Sequence, residues 1–198
     1  MIKVKNYSYR MHHDTGFAPQ IHDDICILSG CKYKGKYGNI ENWANKGSII
    51  IGIGGNMTKK SDKLIYIMEV KKNYLIKNFI EEYPKIGENL KRDSKSNNVL
   101  LSNKFYYFGN NAISIPNNLN KIVVKTHGCK KVSNEDIKHL YNHINGLGYT
   151  KYGSYGNPNN KYVYCVGCDN KCTYEEYIAS NICENCGGKL IKINNYKC

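Results

Sequence analysis

Two pairs of cysteines near the end of the chain have the spacing of a metal site. Cys165 and Cys168 form one C-x-x-C pair, Cys183 and Cys186 form the second, and fourteen residues separate the pairs. Each such turn aims two thiolates at one point, and four thiolates make the tetrahedral sulfur shell that Zn²⁺ prefers. The spacing therefore predicts a structural zinc site, and iron in the same shell stays open as the alternative metal.

The cellular compartment also bears on how the nine cysteines are interpreted. In an exported protein they would suggest disulfides, but residues 1–5 lack the apolar stretch and cleavage site of a secretory signal. The grouping into pairs favours metal binding as well. We expect a cytoplasmic protein in a reducing compartment, without a membrane partner because the sequence has no long apolar run.

The charge of the chain points to its larger, N-terminal part as the region that meets phosphates. The formal net charge is +13, and residues 1–150 hold 23 basic and 12 acidic side chains, a net +11. The remaining residues hold 6 basic and 4 acidic side chains, an excess that four zinc-bound thiolates would cancel. Any electrostatic attraction of nucleic acid is therefore expected mainly from residues 1–150.

This larger part contains no Walker loop, dinucleotide fingerprint or HExxH motif. Three separate residues could still do chemistry. Asp14 lies in a loop with neighbouring histidines and could act as an acid or base. Cys31 precedes Lys32, and a basic neighbour favours a nucleophilic thiolate. His127 lies just past a predicted strand. A capping or solvated carboxylate and an inert cysteine are the competing interpretations.

Short apolar runs bounded by Gly, Asn or Lys predict the strands that position these residues. They are residues 4–9, 25–28, 48–53, 64–70, 99–108, with a turn or bulge at Ser102-Asn103, and 122–125 as the last strand of the domain. The glycines at 52, 54 and 55 lack the third glycine of a nucleotide-binding fingerprint, so they predict a turn between strands.

Two helices are predicted. Apolar residues spaced by three and four indicate a helix over 73–83, ended by Pro84. Ser133, with Asp136 three positions later, indicates the start of a second helix, which closes at Gly146. Residues 87–98 are polar and predict a loop.

These elements predict that strands and helices occur together in the larger part of the chain. Residues 1–150 form the main domain, and residues 151–161, rich in Gly, Tyr, Asn and Pro, are interpreted as a linker. Residues 162–198 are too few to build a sufficient hydrophobic core without a cross-link such as a bound metal ion, so they are interpreted as a zinc ribbon.

The segment from Tyr7 to Pro19, YSYRMHHDTGFAP, resembles the opening signature of the nucleotide-modification-associated domain type 2 family. Four later segments resemble further parts of the family pattern: residues 28–32, 47–52, 99–102 and 107–109. The resemblance covers about residues 5–150, essentially the main domain. Ser48 stands where the family has an aspartate, and the cysteine module is an addition to the family's usual core.

The resemblance implies a small α+β domain from bacterial or phage gene sets that are linked with modified bases, without an assigned reaction. We therefore expect an α+β fold with a bent, mainly antiparallel sheet and packed helices. The strand that begins at Gly47 is also similar to folds of the PUA and EVE type. In those folds a curved, barrel-like sheet forms a pocket for a modified base, and this second likeness is an analogy of fold alone.

The leading hypothesis is that the main domain recognises a nucleotide or a modified nucleic acid. Basic side chains would hold phosphate and aromatic rings would stack on a base. The candidate ligand-binding residues are Tyr9, Arg10, Gly16, Phe17, Pro19, Lys32 and Trp43. Two alternatives stay open: an enzyme that modifies a nucleotide through Asp14, Cys31 and His127, and an adaptor that binds a protein partner through the zinc ribbon.

Overall fold

The computed structural model describes residues 4–16, 18–30, 40–93, 97–126, 128–159, 162–165, 171–173, 182–183 and 185–192. The strands are β1 (Asn6–Met11), β2 (Gln20–His22), β3 (Ile25–Leu28), β4 (Ile49–Gly54), β5 (Leu64–Glu69), β6 (Lys72–Leu75), β7 (Asn98–Ser102), β8 (Lys104–Tyr107), β9 (Cys129–Val132), β10 (Gly153–Ser154), β11 (Tyr162–Cys165), β12 (Lys171–Thr173) and β13 (Leu190–Lys192). The α-helices are α1 (Ile40–Trp43), α2 (Ile76–Glu82), α3 (Pro84–Asp93) and α4 (Asn134–Gly146).

Two sheets make up the main domain. The first has six strands in the order β10-β8-β5-β4-β1-β9, and it is mixed because β1 pairs in parallel with β4 and β10 with β8. The second has the order β2-β3-β7-β6 and is antiparallel throughout. A small antiparallel sheet of β12, β11 and β13 follows in the cysteine module.

The two large sheets pack face to face because their strands alternate in the direction of their side chains. Leu28 of β3 and Leu100 of β7 point toward the six-stranded sheet, where they share a core with Tyr107. The neighbouring residues Ile27 and Val99 point the other way into a separate core. The two central strands of the second sheet, β3 and β7, therefore bury side chains on both of their faces.

Helices cover the two outer faces of this sandwich. Phe79 of α2 and Leu90 of α3 pack on the second sheet. On the six-stranded sheet, Ile137, Leu140 and Ile144 of α4 form one apolar face, as the spacing of three and four predicts. The main domain thus has four layers, helix, sheet, sheet and helix, and the prediction of an α+β fold is confirmed.

The barrel implied by the likeness to PUA and EVE folds is not seen in the described part of the chain. There the six-stranded sheet begins at β10 and ends at β9, and these two edge strands are not paired with each other. Most pairings are antiparallel, as predicted, but the two parallel pairs make this sheet mixed. Among the helices described here, none is long and apolar enough to cross a membrane.

The region between residues 72 and 98 differs most from the sequence-based prediction. Residues 72–75 form β6 rather than the first turn of a helix, because they pair with β7 and bury Tyr74. Pro84 begins α3 instead of only ending α2, as its fixed φ allows at a first helical position. The predicted loop at 87–98 is therefore largely helical, and buried Leu90 anchors it.

The end of the main domain also differs. Residues 117–122 form a 3-10 helix, and the last strand before α4 is β9, not the predicted 122–125. Ser133 caps α4 as predicted, since its hydroxyl accepts a hydrogen bond from the Asp136 amide at 3.1 Å. Within the predicted linker, residues 153–154 form β10 of the six-stranded sheet, so that stretch packs on the main domain; the domain boundaries stay a prediction.

Gly52 of β4 provides a test of the packing between the sheets. A Cβ atom at this position would lie 2.2 Å from a ring carbon of Tyr66 and 2.7 Å from the sulfur of Met11. The Tyr66 ring cannot withdraw easily, because it is buried and its hydroxyl lies 2.8 Å from that of Tyr9.

We therefore expect Gly52→Ala to lower the free energy of unfolding by about 1–3 kcal/mol, as overpacked cores do. Gly146→Ala is the matched control, since nothing lies within 4 Å of its added methyl group. Urea denaturation of both variants measures the difference. Equal stability of the two variants would contradict the packing described for Gly52.

Candidate functional site

Asp14 lies in the loop after β1 and is completely buried. The Tyr107 hydroxyl donates to its Oδ1 at 2.8 Å. The backbone amide and side-chain amide of Asn159 both donate to its Oδ2, at 3.1 and 2.9 Å. One carboxylate thereby connects the N-terminal loop, the strand β8 and the segment that leads to the cysteine module.

Burial is the main influence on the acidity of this cluster. It raises the pKa of Asp14 above the usual range of a carboxyl group, although the hydrogen bonds from Asn159 and Tyr107 act in the opposite direction. Burial and the nearby Asp14 also raise the pKa of Tyr107 well above its usual value. The carboxyl group has the environment of a buried structural acceptor, in line with the capping interpretation.

The same loop makes a second contact with the end of the domain. Gly16 has a φ of +74°, which favours glycine, and a Cβ atom there would lie 2.8 Å from Cγ of Pro158. Pro19, at the end of the motif, is buried. The glycine and the aspartate of the signature thus both serve the docking of residues 158–159.

Tyr9 and Arg10 of β1 are both engaged inside the protein. Tyr9 is only 1% exposed and lies in the core between the sheets. Arg10 forms an ion pair with Asp62 at 2.9 Å and donates to the carbonyl of Val124 at 3.1 Å. Hydrogen bonding from Lys125 and from Arg10 holds the pKa of Asp62 below its usual range. In this structure Arg10 connects two loops with its guanidinium group.

Trp43, the last residue of α1, is the predicted ligand-binding residue that lies at an open cavity. Its ring is 37% exposed, and its centroid lies 6.0 Å from that of Tyr7 with the planes tilted by 38°. The cavity has a volume of about 470 Å³. Its lining consists of Lys5, Tyr7, Trp43, Cys129 and Lys131. We call this cavity the edge pocket, because it lies at the β9 edge of the six-stranded sheet.

Strand pairing explains why these residues meet. Tyr7 of β1 lies opposite Lys131 of the antiparallel strand β9, and Tyr9 lies opposite Cys129. Residues two apart share a face of a strand, so Tyr7, Cys129 and Lys131 project from the same face, and Lys5, just before β1, also lines the cavity. The sequence-based prediction missed these four residues, because it placed the last strand at 122–125; a register of β1 against 129–132 would have found them.

The edge pocket combines aromatic surface with positive charge. Over the described part of the chain its lining includes two lysines and no acidic side chain. Burial, and then the neighbouring Cys129, raise the pKa of Tyr7 above its usual value. The pocket can therefore offer the exposed ring of Trp43 for stacking, the neutral phenol of the largely buried Tyr7, and cationic groups for an anion.

Several predicted site residues lie outside the described residues. They are Phe17, Cys31, Lys32, His127 and Cys168. The structure therefore does not test whether Asp14, Cys31 and His127 converge, and the enzymatic hypothesis stays a prediction.

The second cysteine pair forms a tight turn. The Cys183 amide donates to the Gly188 carbonyl and the Gly187 amide to the Cys183 carbonyl, both at 2.8 Å, and Gly187 has a φ of +71°. Cys165 of β11 pairs with Leu190, and Ile182 forms a bridge with Lys189. Backbone pairing thus places Cys165 and Cys183 at the same end of the small sheet. Among the described residues, no group of three or more potential metal ligands is found.

The fold and the edge pocket together define an α+β domain with an aromatic, basic cavity at the edge of a mixed sheet. A model of the family described as Nucleotide modification associated domain 2 matches residues 3–85 and 81–165. The chain belongs to this family, as the motif at residues 7–19 predicts.

Two further comparisons add little to this result. A comparison with curated proteins finds no match. Among solved structures, the chain is similar to the crystal structure of ASCH from Zymomonas mobilis at 6% identity and a TM-score of 0.37. The similarity covers 70% of this chain and 94% of that one. At this level it supports no conclusion about fold or function.

The hydrogen bonds of Asp14 lead to a stability prediction. Asp14→Ala removes a buried acceptor and leaves the donors of Tyr107 and Asn159 unpaired, so we expect a loss of about 2–4 kcal/mol in the free energy of unfolding. Asp14→Asn has nearly the same shape. Its amide oxygen can still accept from Asn159, and its amide nitrogen can donate to the Tyr107 hydroxyl. Its loss of unfolding free energy should therefore be less than half as large. Thermal and urea unfolding measure both, and equal losses would contradict the structural role.

Proposed function

We propose that this protein recognises a nucleotide or nucleic acid through the edge pocket. The observation that carries the proposal is the joint presence of Tyr7, Trp43, Lys5 and Lys131 around one cavity. Aromatic rings stack on bases of any sequence, and lysines attract phosphate. The pocket supplies both at one place.

The ion pairing of the basic side chains supports the edge pocket as the phosphate-binding site. Lys121 and Lys125 are exposed, but they are paired with Asp136 at 2.8 Å and with Asp62 at 2.7 Å. Within the described residues, Lys5 and Lys131 take part in no ion pair. A phosphate group in the edge pocket would therefore not have to displace a carboxylate of the described residues.

Family membership and charge are consistent with the proposal. The family is associated with nucleotide modification, and the first 150 residues carry a net charge of +11. A positive domain raises the local concentration of phosphate-bearing ligands and speeds their association. Neither observation selects a particular base.

Trp43 is the only tryptophan of the chain, so its fluorescence reports directly on the edge pocket. We expect nucleotides or single-stranded oligonucleotides, with modified and unmodified bases, to change this fluorescence on binding. The affinity should fall as salt is added, because phosphate contacts release counterions. Unchanged fluorescence with every ligand, together with no binding by calorimetry, would contradict the proposal.

Variants locate the binding. Calorimetry should show that Trp43→Ala binds the nucleotide or oligonucleotide about 5- to 150-fold more weakly than the wild type does, the usual loss when a stacking ring is removed. Tyr152→Ala is the matched control, since Tyr152 is also exposed but precedes β10 at the opposite edge of the sheet. Ligand mass should stay unchanged in these samples; a mass change that Cys31→Ala abolishes would favour the enzymatic alternative.

We also infer that Cys165, Cys168, Cys183 and Cys186 hold a structural zinc ion. The sequence spacing and the tight turn at Cys183 support this inference, together with the backbone pairing that brings Cys165 to the same end of the small sheet. A protein-binding role of this module stays an additional hypothesis.

Elemental analysis of purified protein should find about one zinc per chain, bound by thiolates alone. Cys183→Ser should lower the metal content and make residues 162–198 more sensitive to proteolysis, because such modules depend on their metal to fold. Cys198→Ser is the control and should keep the metal. Iron in place of zinc would correct the identity of the metal, and a metal-free wild-type protein would contradict the site.

A further inference from the structure

The size of the edge pocket limits what it can hold. Its volume of about 470 Å³ lies within the range of roughly 300–1,000 Å³ that is typical of small-molecule sites. One nucleotide fits such a space, whereas a base pair within a duplex presents only its edges. Stacking on Trp43 therefore requires a base that has left the stack or was never in one.

The position of the two lysines limits the charge of the ligand. Lys131 lies directly opposite Tyr7 in the strand pairing, and Lys5 lies just before β1, two residues ahead of Tyr7. Both lysines line the same cavity, so their ammonium groups can meet one anionic group bound there. Together they supply a charge of about +2, which matches a phosphomonoester, with about −1.5 to −2 near pH 7. An internal phosphodiester carries a single negative charge.

We propose that the edge pocket binds a nucleoside phosphomonoester, with the base against the exposed ring of Trp43 and the terminal phosphate between Lys5 and Lys131. This inference rests on the proposed function and specifies its ligand class. Two sources share this chemistry: a free mononucleotide and the phosphorylated end of a single strand.

The proposal predicts a particular pH dependence. A phosphomonoester loses its second proton with a pKa near 6, so its dianion becomes about tenfold scarcer when the pH falls from 7.5 to 5. The described titratable groups that face the pocket are Lys5, Tyr7, Cys129 and Lys131, and none of them is a carboxyl group or a histidine. The affinity for the monoester should therefore fall about tenfold over this interval.

The ligands to compare are the 5′-monophosphates of the four deoxynucleosides and of 5-methyldeoxycytidine, each with its 5′-methylphosphate ester. The ester has the same base and sugar but only one charge at either pH, so its affinity should not change with the phosphate equilibrium. Any titration of the protein itself would affect both ligands and cancel in the ratio of their dissociation constants. Trp43 fluorescence measures both binding reactions.

Variants assign the effect to the lysines. Lys131→Ala and Lys5→Ala should each weaken binding of the monophosphate about tenfold or more, as loss of a hydrogen bond to a charged group does. They should affect the methyl ester less. Lys151→Ala is the matched control, since this exposed lysine lies beside β10 at the other edge of the sheet, and its affinities should equal those of the wild type.

Oligonucleotides distinguish the two sources of the phosphate. Tighter binding of a 5′-phosphorylated single strand than of both its 5′-hydroxyl form and the mononucleotide would identify a strand end. Equal binding of strand and mononucleotide would identify the free nucleotide. If ester and monoester bind alike, with the same pH profile, the phosphomonoester inference is overturned while the proposed function stands. If no ligand changes the fluorescence or the calorimetric signal, both fail.

Discussion

The burial of β4 on both faces is the constraint on which the rest of the domain depends. Ile50 points into the core between the sheets, whereas Ile49, Ile51 and Ile53 point toward α4. Burying such side chains contributes roughly 1.5–3 kcal/mol each, so neither face can be left to water. The centre of the sheet is consequently filled on both sides. Open, functional surface is left to its edges, and the edge pocket lies at one of them.

The signature loop between β1 and β2 has a structural task in this arrangement. Asp14 is a fully buried acceptor for Tyr107 and Asn159, and Gly16 allows the close approach of Pro158. These contacts hold the end of the main domain beside the loop, just before the chain enters the cysteine module. A motif can therefore identify a family through residues that maintain its fold.

Local patterns predicted the elements whose stability is mostly local. The apolar runs of β3, β4 and β5 were found within one or two residues, and the Ser133 cap placed the start of α4. The prediction failed at β6, α3 and β9. At these positions, pairing with a distant strand or the burial of one residue such as Leu90 overrides the local polarity of the segment.

The sequence by itself determined the family, through the motif at residues 7–19, and several strands and helices, through their apolar periodicity. It also determined the spacing of the four cysteines, because a C-x-x-C turn is a local feature of the chain. Only the tertiary structure decided that Tyr9 and Arg10 turn inward and that Lys5, Tyr7, Trp43 and Lys131 surround one pocket. The physical reason is the register between β1 and β9, which joins residues far apart in sequence and has no signature in either segment alone.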